Sequence, residues 1–319
     1  MKTLKTFSNK KDILSIADLS TEEISTILKL ANKLKRESKR EKSSRRLLRG
    51  KMLGMIFQKP STRTRVSFEV GMYQLGGGTV YLDANDIQLS RGETIEDTAK
   101  TLSTYLDCIM ARVYNHKDVE VLASHASVPV INGLSDSFHP CQVLADLMTI
   151  KEQKKKLKGL RLAWLGDGDN VCNDLMLGCA KTGISMIAAC PKGYEPLGEI
   201  VTLAKEESEK AGVDIAITSD AKAAVSDADI IATDTFISIG KEGERTDREA
   251  AFLPNYQVNE EMMKLAKPDA IFLHCLPAKR GMEVTAEVID GRWSVVWQEV
   301  ENRLHTQKAL LCLLMRARL

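Results

Sequence analysis

After Ser20 the apolar residues recur at helical intervals, and Ile24, Ile27, Leu28, Ala31 and Leu34 fall on one face. Ser20-Thr21-Glu22-Glu23 in front of them is a capping-box pattern, a hydroxyl and a carboxylate spaced to bond each other's backbone N–H. The period then changes. Met52 to Phe57 is a short apolar run of the kind expected in a buried strand, and it ends at the loop Lys59-Pro60-Ser61. The spacing next predicts a helix from about Arg65 to Leu75, stopped by Gly76-Gly77-Gly78. Thr94 to Leu106 and Gln142 to Glu152 read as further helices, Cys108 to Ala111 and Pro129 to Ile131 as further strands.

A lysine-rich, weakly apolar segment, Lys151 to Lys158, closes at Gly159 and puts a domain boundary near residue 150. Beyond it the alternation resumes. Strands are predicted at Arg161 to Leu165, Ile184 to Ala189, Ile215 to Thr218, Ile230 to Thr233, Ile271 to His274 and Val295 to Trp297, and a terminal helix at His305 to Met315. Strands alternating with helices imply βαβ units, so the fold class is α/β: two similar-sized domains, each a mainly parallel sheet flanked by helices. The length of 319 residues suits two such cores.

Composition changes this picture little. Apolar residues make up 44% of the chain and charged residues 28%, with a net charge of +2. No large excess of either sign argues for nucleic acid or an anionic membrane as partner. The basic stretch Lys33 to Arg49 reads as a solvated helix end and loop. The seven cysteines (108, 141, 172, 179, 190, 275 and 312) are odd in number and contain no CxxC pair, which favours reduced thiols over disulfides or structural zinc. The start, MKTLKTFSNKKD, lacks the apolar run of a secretory signal, and no stretch approaches the ~20 apolar residues of a membrane span. A cytoplasmic protein is expected.

In parallel sheets, ligands bind beyond the carboxyl ends of strands, and the polar clusters fall there. Ser61-Thr62-Arg63-Thr64-Arg65 puts hydroxyls and guanidinium groups at the start of a helix, as in a phosphate cradle, although an N-cap followed by solvated arginines has the same composition. His139-Pro140-Cys141-Gln142 opens another helix, where His139 and Gln142 either polarise a carbonyl or simply cap and pack. Cys275, in Leu273-His274-Cys275-Leu276-Pro277, ends a strand; adjacent His274 would point to the opposite face, so no Cys–His pair is expected. Gly166-Asp167-Gly168-Asp169-Asn170 suggests a dinucleotide fingerprint, but Val171 occupies the third glycine position. Asp234 and Ser238, with Gly240 beyond, offer a carboxylate and a hydroxyl on a turn, suited to an ammonium group or to a helix cap.

Taken together and in this order, STRTR, HPCQ, HCLP and Asp234…Ser238-Ile239-Gly240 resemble the ornithine carbamoyltransferase family along nearly the whole chain. The resemblance implies a carbamoyl phosphate-binding domain over 1–150, an ornithine-binding domain over 151–304, and a terminal helix, 305–319, returning to the first. It implies that Ser61, Thr62, Arg63 and Thr64 hold the phosphate. Arg112, His139, Pro140, Cys141, Gln142, Cys275 and Leu276 would surround the carbamoyl group, with Arg303 closing over it. Gln88 matches a position supplied by a neighbouring subunit, which implies active sites shared within a trimer or a multiple of trimers. Asn170, Asp234, Ser238 and Ile239 match the ornithine site. Arg112, His139, Gln142, Cys275 and Arg303 are the expected catalytic set, with no metal and no cofactor.

Three departures stand out from the family pattern. Ile239 occupies a position usually held by methionine, Asp169 a position usually held by asparagine, and Trp297-Gln298 stand where Phe-Asp is usual. Of the alternatives, an aspartate enzyme usually carries a lysine on the loop of Gln88 to Glu93, which here has Arg91 and none. A putrescine enzyme has no need of Asn170's subsite, and an acylated ornithine remains open as acceptor. A nucleotide-dependent dehydrogenase lacks its third glycine. A non-catalytic regulator would be marked by loss of Arg63, His139 or Arg303, and all three are present.

Overall fold

A strand buried on both faces must pair every backbone N–H and C=O with a neighbour, and parallel strands joined by helices achieve this. The chain does so twice in the computed structural model, which describes residues 12–38 and 46–317. It divides into two units, Met1–Met148 with Glu301–Leu319, and Thr149–Val300. The amino-terminal segment 1–11 and part of the basic stretch, 39–45, lie outside the described residues.

In the first unit the chain runs α1 (Thr21–Ser38), β1 (Met52–Phe57), α2 (Thr62–Leu75), β2 (Gly78–Asp83), α3 (Ile95–Ser103), β3 (Cys108–Arg112), α4 (His116–His125), β4 (Val130–Leu134) and, as far as Met148, α5 (Pro140–Lys154). The strands are parallel in the order β2-β1-β3-β4. The capping box forms: Ser20 N donates to Glu23 Oε2 at 2.9 Å and Glu23 N to Ser20 Oγ at 3.2 Å. The predicted apolar face of α1 is buried. Its Lys35 donates to Asn302 Oδ1 at 2.6 Å and pairs with Glu301 at 3.0 Å, joining α1 to the last helix.

The second unit holds β5 (Arg161–Leu165), α6 (Asn170–Thr182), β6 (Ser185–Ala189), α7 (Gly198–Ala211), β7 (Ile215–Thr218), α8 (Ala221–Val225), β8 (Ile230–Thr233), α9 (Arg245–Phe252), α10 (Glu260–Leu265), β9 (Ile271–His274), α11 (Ala286–Ile289) and the start of α12 (Val296–Leu314). Its parallel sheet has the order β7-β6-β5-β8-β9. Phe236, Phe252 and Phe272 lie within its core. From Glu301 onward α12 belongs to the first unit.

One strand is added and two local expectations are corrected. Residues 78–83, which no apolar run marks after the glycines, form edge strand β2. Helix α2 starts at Thr62 rather than Arg65, because Ser61 caps it. Val295 to Trp297 is not a strand: one bridge, Phe272 with Ser294, and the bond from Val295 N to Phe272 O make a single rung before α12 begins.

Strand order locates the places where a ligand can enter. In a doubly wound sheet a crevice opens where successive connections leave in opposite directions. Those points are β1/β3 in the first unit and β5/β8 in the second. The segments after these four strands carry STRTR, the residues following Arg112, Gly166 to Asn170, and Asp234 to Gly240.

Candidate active site

In the first unit, Ser61 is extended and its Oγ accepts from Thr64 N at 3.2 Å, which orients the first turn of α2 with its free N–H groups beyond β1. Arg112 ends β3, where the register to β4 shifts, and its carbonyl accepts from Gln58 N at 2.9 Å. The shift re-aims the strand end beside the α2 terminus. Arg303 reaches the same place from α12: Nη1 donates to Gln142 Oε1 at 2.6 Å and Nη2 to Thr64 Oγ1 at 3.1 Å. Gln142 is fixed in turn by Asp146, which accepts from its Nε2 at 2.8 Å. Thr64, Arg112, His139, Gln142 and Arg303 are all buried, whereas Thr62 is exposed and Ser61 and Arg63 are intermediate.

The surroundings of His139 are strongly basic. Burial holds the His139 imidazole well below its ordinary pKa, and Arg303, Arg112 and Arg63 push it further in the same direction. His139 is therefore neutral near pH 7, a hydrogen-bonding group among guanidinium charges. Pro140 is the first residue of α5. The Cys141 thiol is buried and donates to Asn132 O at 3.6 Å, so its side chain serves packing. Gln88 is exposed at the start of a 3₁₀ turn, Gln88–Arg91.

The second unit brings together the residues after β5, β8 and β9. Cys275 Sγ donates to Asp234 Oδ1 at 2.9 Å, and Thr235 N donates to the same oxygen at 2.6 Å. Asn170 begins α6 and Ile239 is exposed. Ser238 turns toward Asp169, donating from its Oγ to Oδ2 at 3.4 Å. Leu276 sits at φ 57°, a left-handed conformation unusual for a branched residue, and its N–H donates to His274 Nδ1 at 2.9 Å.

His274 is engaged on both nitrogens, since Nε2 bonds Glu283 Oε1 at 3.3 Å. The thiol points to Asp234 and no Cys–His pair forms, although the turn does bring ligand atoms of Asp234, His274 and Cys275 within 4.8 Å of one another. That spacing could accept a metal ion, but here it is occupied by a hydrogen-bonded network of the side chains themselves.

Gly168 has a packing reason of its own. A Cβ there would lie 2.1 Å from Pro196 N, so only glycine lets this loop pass the 195–196 backbone. The GxG pattern needs no nucleotide to account for it. Sequence reasoning missed the groups behind the loop: Arg248, fully buried in α9, pairs with Asp167 and donates from Nε to Phe236 O at 2.5 Å, and Lys241 lies 3.3 Å from Asp167. Asp146 was also missed; its i,i+4 spacing from Gln142 was the available signal.

Two family models match the chain. One, described as the carbamoyl-P binding domain of aspartate/ornithine carbamoyltransferase, covers residues 11–152, and the other, its Asp/Orn binding domain, covers residues 158–314. The ornithine carbamoyltransferase of Oceanobacillus iheyensis is 56% identical over 305 residues, 96% of this chain and 94% of that one. That of Bacillus subtilis is 54% identical over 301 residues, 94% and 92% of the two chains. The solved ornithine carbamoyltransferase of Pyrococcus furiosus superposes with a TM-score of 0.93 at 54% identity, covering 96% of this chain and 97% of that one.

Proposed function

This chain belongs to the aspartate/ornithine carbamoyltransferase family, and we propose that it transfers the carbamoyl group of carbamoyl phosphate to the side-chain amine of L-ornithine, giving L-citrulline and phosphate. The observation that carries the carbamoyl phosphate half is the α2 amino terminus with Arg303 bonded to Thr64 and Gln142. Free backbone N–H groups, the hydroxyls of Ser61, Thr62 and Thr64, and the Arg63 fork suit a phosphate dianion. Arg112, Arg303 and neutral His139, with Gln142 held by Asp146, suit a carbamoyl oxygen that becomes an oxyanion.

The reaction is a direct displacement. The amine nitrogen attacks the carbamoyl carbon, the carbonyl electrons move onto oxygen, and collapse of the tetrahedral intermediate expels phosphate as the nitrogen loses a proton. The residues contribute positioning and preorganised positive charge where negative charge develops. An alkyl amine like that of lysine, with a pKa of ~10.4, must be deprotonated before attack. Asp234 and Cys275, already bonded to each other, form the polar pair assigned to the amine, while Asn170, Ser238 and the Ile239 backbone meet the α-amino acid end.

We further propose a homotrimer, or a multiple of trimers, in which Gln88 serves the neighbour's phosphate. Val66, Val70 and Tyr73 support it, forming one exposed apolar face of α2, with Tyr73 82% exposed on the isolated chain. No helix among the described residues is long and apolar enough to cross a membrane. All seven cysteines are free thiols, which supports placement in the cytoplasm, and a citrulline-forming reaction suits arginine biosynthesis.

The test is stoichiometry. Carbamoyl phosphate and ornithine with the enzyme should yield citrulline and phosphate in equal amounts, and an Arg303→Met variant should lower the rate about 10²-fold or more. Phosphate release without citrulline would refute the transfer.

A further inference from the structure

His139 heads α5, where its carbonyl accepts from Gln142 N at 3.0 Å, so the backbone just before it helps set where its imidazole points. That backbone is the turn after β4, Ser135–Phe138. Ser135 N donates to Phe138 O at 3.0 Å, and Phe138 N donates back to Ser135 Oγ at 3.2 Å. Asn132 Nδ2 donates to the same hydroxyl at 3.3 Å, and Ser135 is fully buried, so both lone pairs of its oxygen are engaged. The Ser135 O–H then has Phe138 O 3.5 Å away and His116 Nδ1 2.9 Å away. The carbonyl already receives Ser135 N and Asn132 Nδ2, the latter at 3.3 Å. The hydroxyl therefore donates to His116, whose Nδ1 is bare and whose ring hydrogen sits on Nε2. The same ring packs edge-on against Phe138, with centroids 4.7 Å apart.

We propose that His116 is a positioning residue for carbamoyl transfer: through Ser135 it fixes the turn that presents His139 to the carbamoyl group. This rests on carbamoyl phosphate being the substrate. The arrangement makes the turn sensitive to acid. A proton on Nδ1 changes the ring from acceptor to donor, and the Phe138 carbonyl left to the Ser135 O–H already accepts two bonds. Burial holds His116 below its ordinary pKa and Lys117 adds to this, while Glu120 on the same helix, Asp136 on the turn and Asp18 before α1 oppose it. His116 is therefore neutral near pH 7 and takes up its proton below about pH 6.5.

Two variants separate the hydrogen bond from the packing. His116→Asn puts an amide oxygen near the place of Nδ1 and cannot titrate, whereas His116→Phe keeps a ring against Phe138 but offers no acceptor. At saturating ornithine and pH ~7.5, kcat/KM for carbamoyl phosphate should stay within about threefold of wild type in His116→Asn and fall about tenfold or more in His116→Phe. Amide hydrogen exchange of residues 135–139 should quicken in His116→Phe alone. The ratio of wild-type to His116→Asn kcat/KM, in which titrations common to both cancel, should drop between about pH 7 and 5.5. A role in packing alone predicts the opposite order of the two variants and a ratio that does not change with pH. Either result, or equal impairment of both variants, would overturn the proposal. Should His116→Phe not fold, the pH dependence of the ratio decides alone. If the wild-type protein makes no citrulline, the functional reading fails instead, and exchange still decides whether His116 holds the turn.

Discussion

Replacing Arg248 by methionine should destabilise the second unit by about 3–5 kcal/mol, the usual cost of breaking a buried ion pair from one side. Arg248 has a fully buried side chain, 2% exposed, and makes three kinds of bond, each lost differently. The Phe236 carbonyl loses the donor that reaches it from Nε, at about 1–3 kcal/mol for a buried unsatisfied group. Asp167, 10% exposed, keeps only Lys241 as a cationic partner. Glu244 is 57% exposed and returns to water at little cost. The retained Lys241 contact argues for the lower half of the range.

The assay is built into the chain. All three tryptophans, Trp164, Trp293 and Trp297, lie in Thr149–Val300, and Trp164 is buried with its Nε1 donating to Asp167 O at 3.0 Å. Thermal unfolding followed by tryptophan fluorescence therefore reports this unit. At roughly 2–4 °C per kcal/mol the midpoint should fall by about 10 °C. An Asp167→Asn/Arg248→Met double variant should lie above the arginine single variant, because it no longer buries a lone charge. A shift under about 2 °C, or a double variant that is worse, would refute the reasoning.

Other outcomes rest on the same geometry. His139 is kept neutral in the folded state by burial and its arginine neighbours, while an unfolded histidine takes up a proton near pH ~6.5. Its contribution to stability is therefore present above that pH and lost as pH falls. Between about pH 7.5 and 5.5 a His139→Gln variant should lose less urea resistance than wild type, with the difference growing below about pH 6.5. Cys275 is the only cysteine that is not buried, and burial pushes the Cys312 thiol up to about 12. A chromogenic disulfide reagent should label Cys275 first in the native protein, and Cys275→Ala should remove the fast phase. Mixing and reassembling inactive Gln88→Ala and Arg303→Met chains should restore activity if sites are shared between subunits; failure to do so points to sites complete within one chain.

Much of the fold was legible because its strands are doubly buried. Met52–Phe57, Arg161–Leu165 and Ile271–His274 read as short, mostly apolar runs, with only Arg161 and His274 polar at their ends, and the structure gives them the same ends. Edge strand β2 has no such run and comes after three glycines, so only its Thr79-Val80-Tyr81 could have signalled it. Val295 to Trp297 failed for the opposite reason: an apolar triplet fits either a strand or the first turn of a helix. In the first unit, Arg303 bonds Thr64 of STRTR and Gln142 of HPCQ, while Cys141 is turned to the core. Arg248 and Lys241 were not legible, because charged residues on a polar helix and loop carry no local mark of a partner tens of residues away.

The central claim is transfer to ornithine, and acceptor preference measures it most directly. With carbamoyl phosphate saturating, kcat/KM should be determined in parallel for ornithine, putrescine, aspartate and N-acetylornithine. The Asp234, Ser238 and Asn170 set predicts that ornithine exceeds each of the others by about 10²-fold or more. Equal or greater kcat/KM for any of the other three would contradict it.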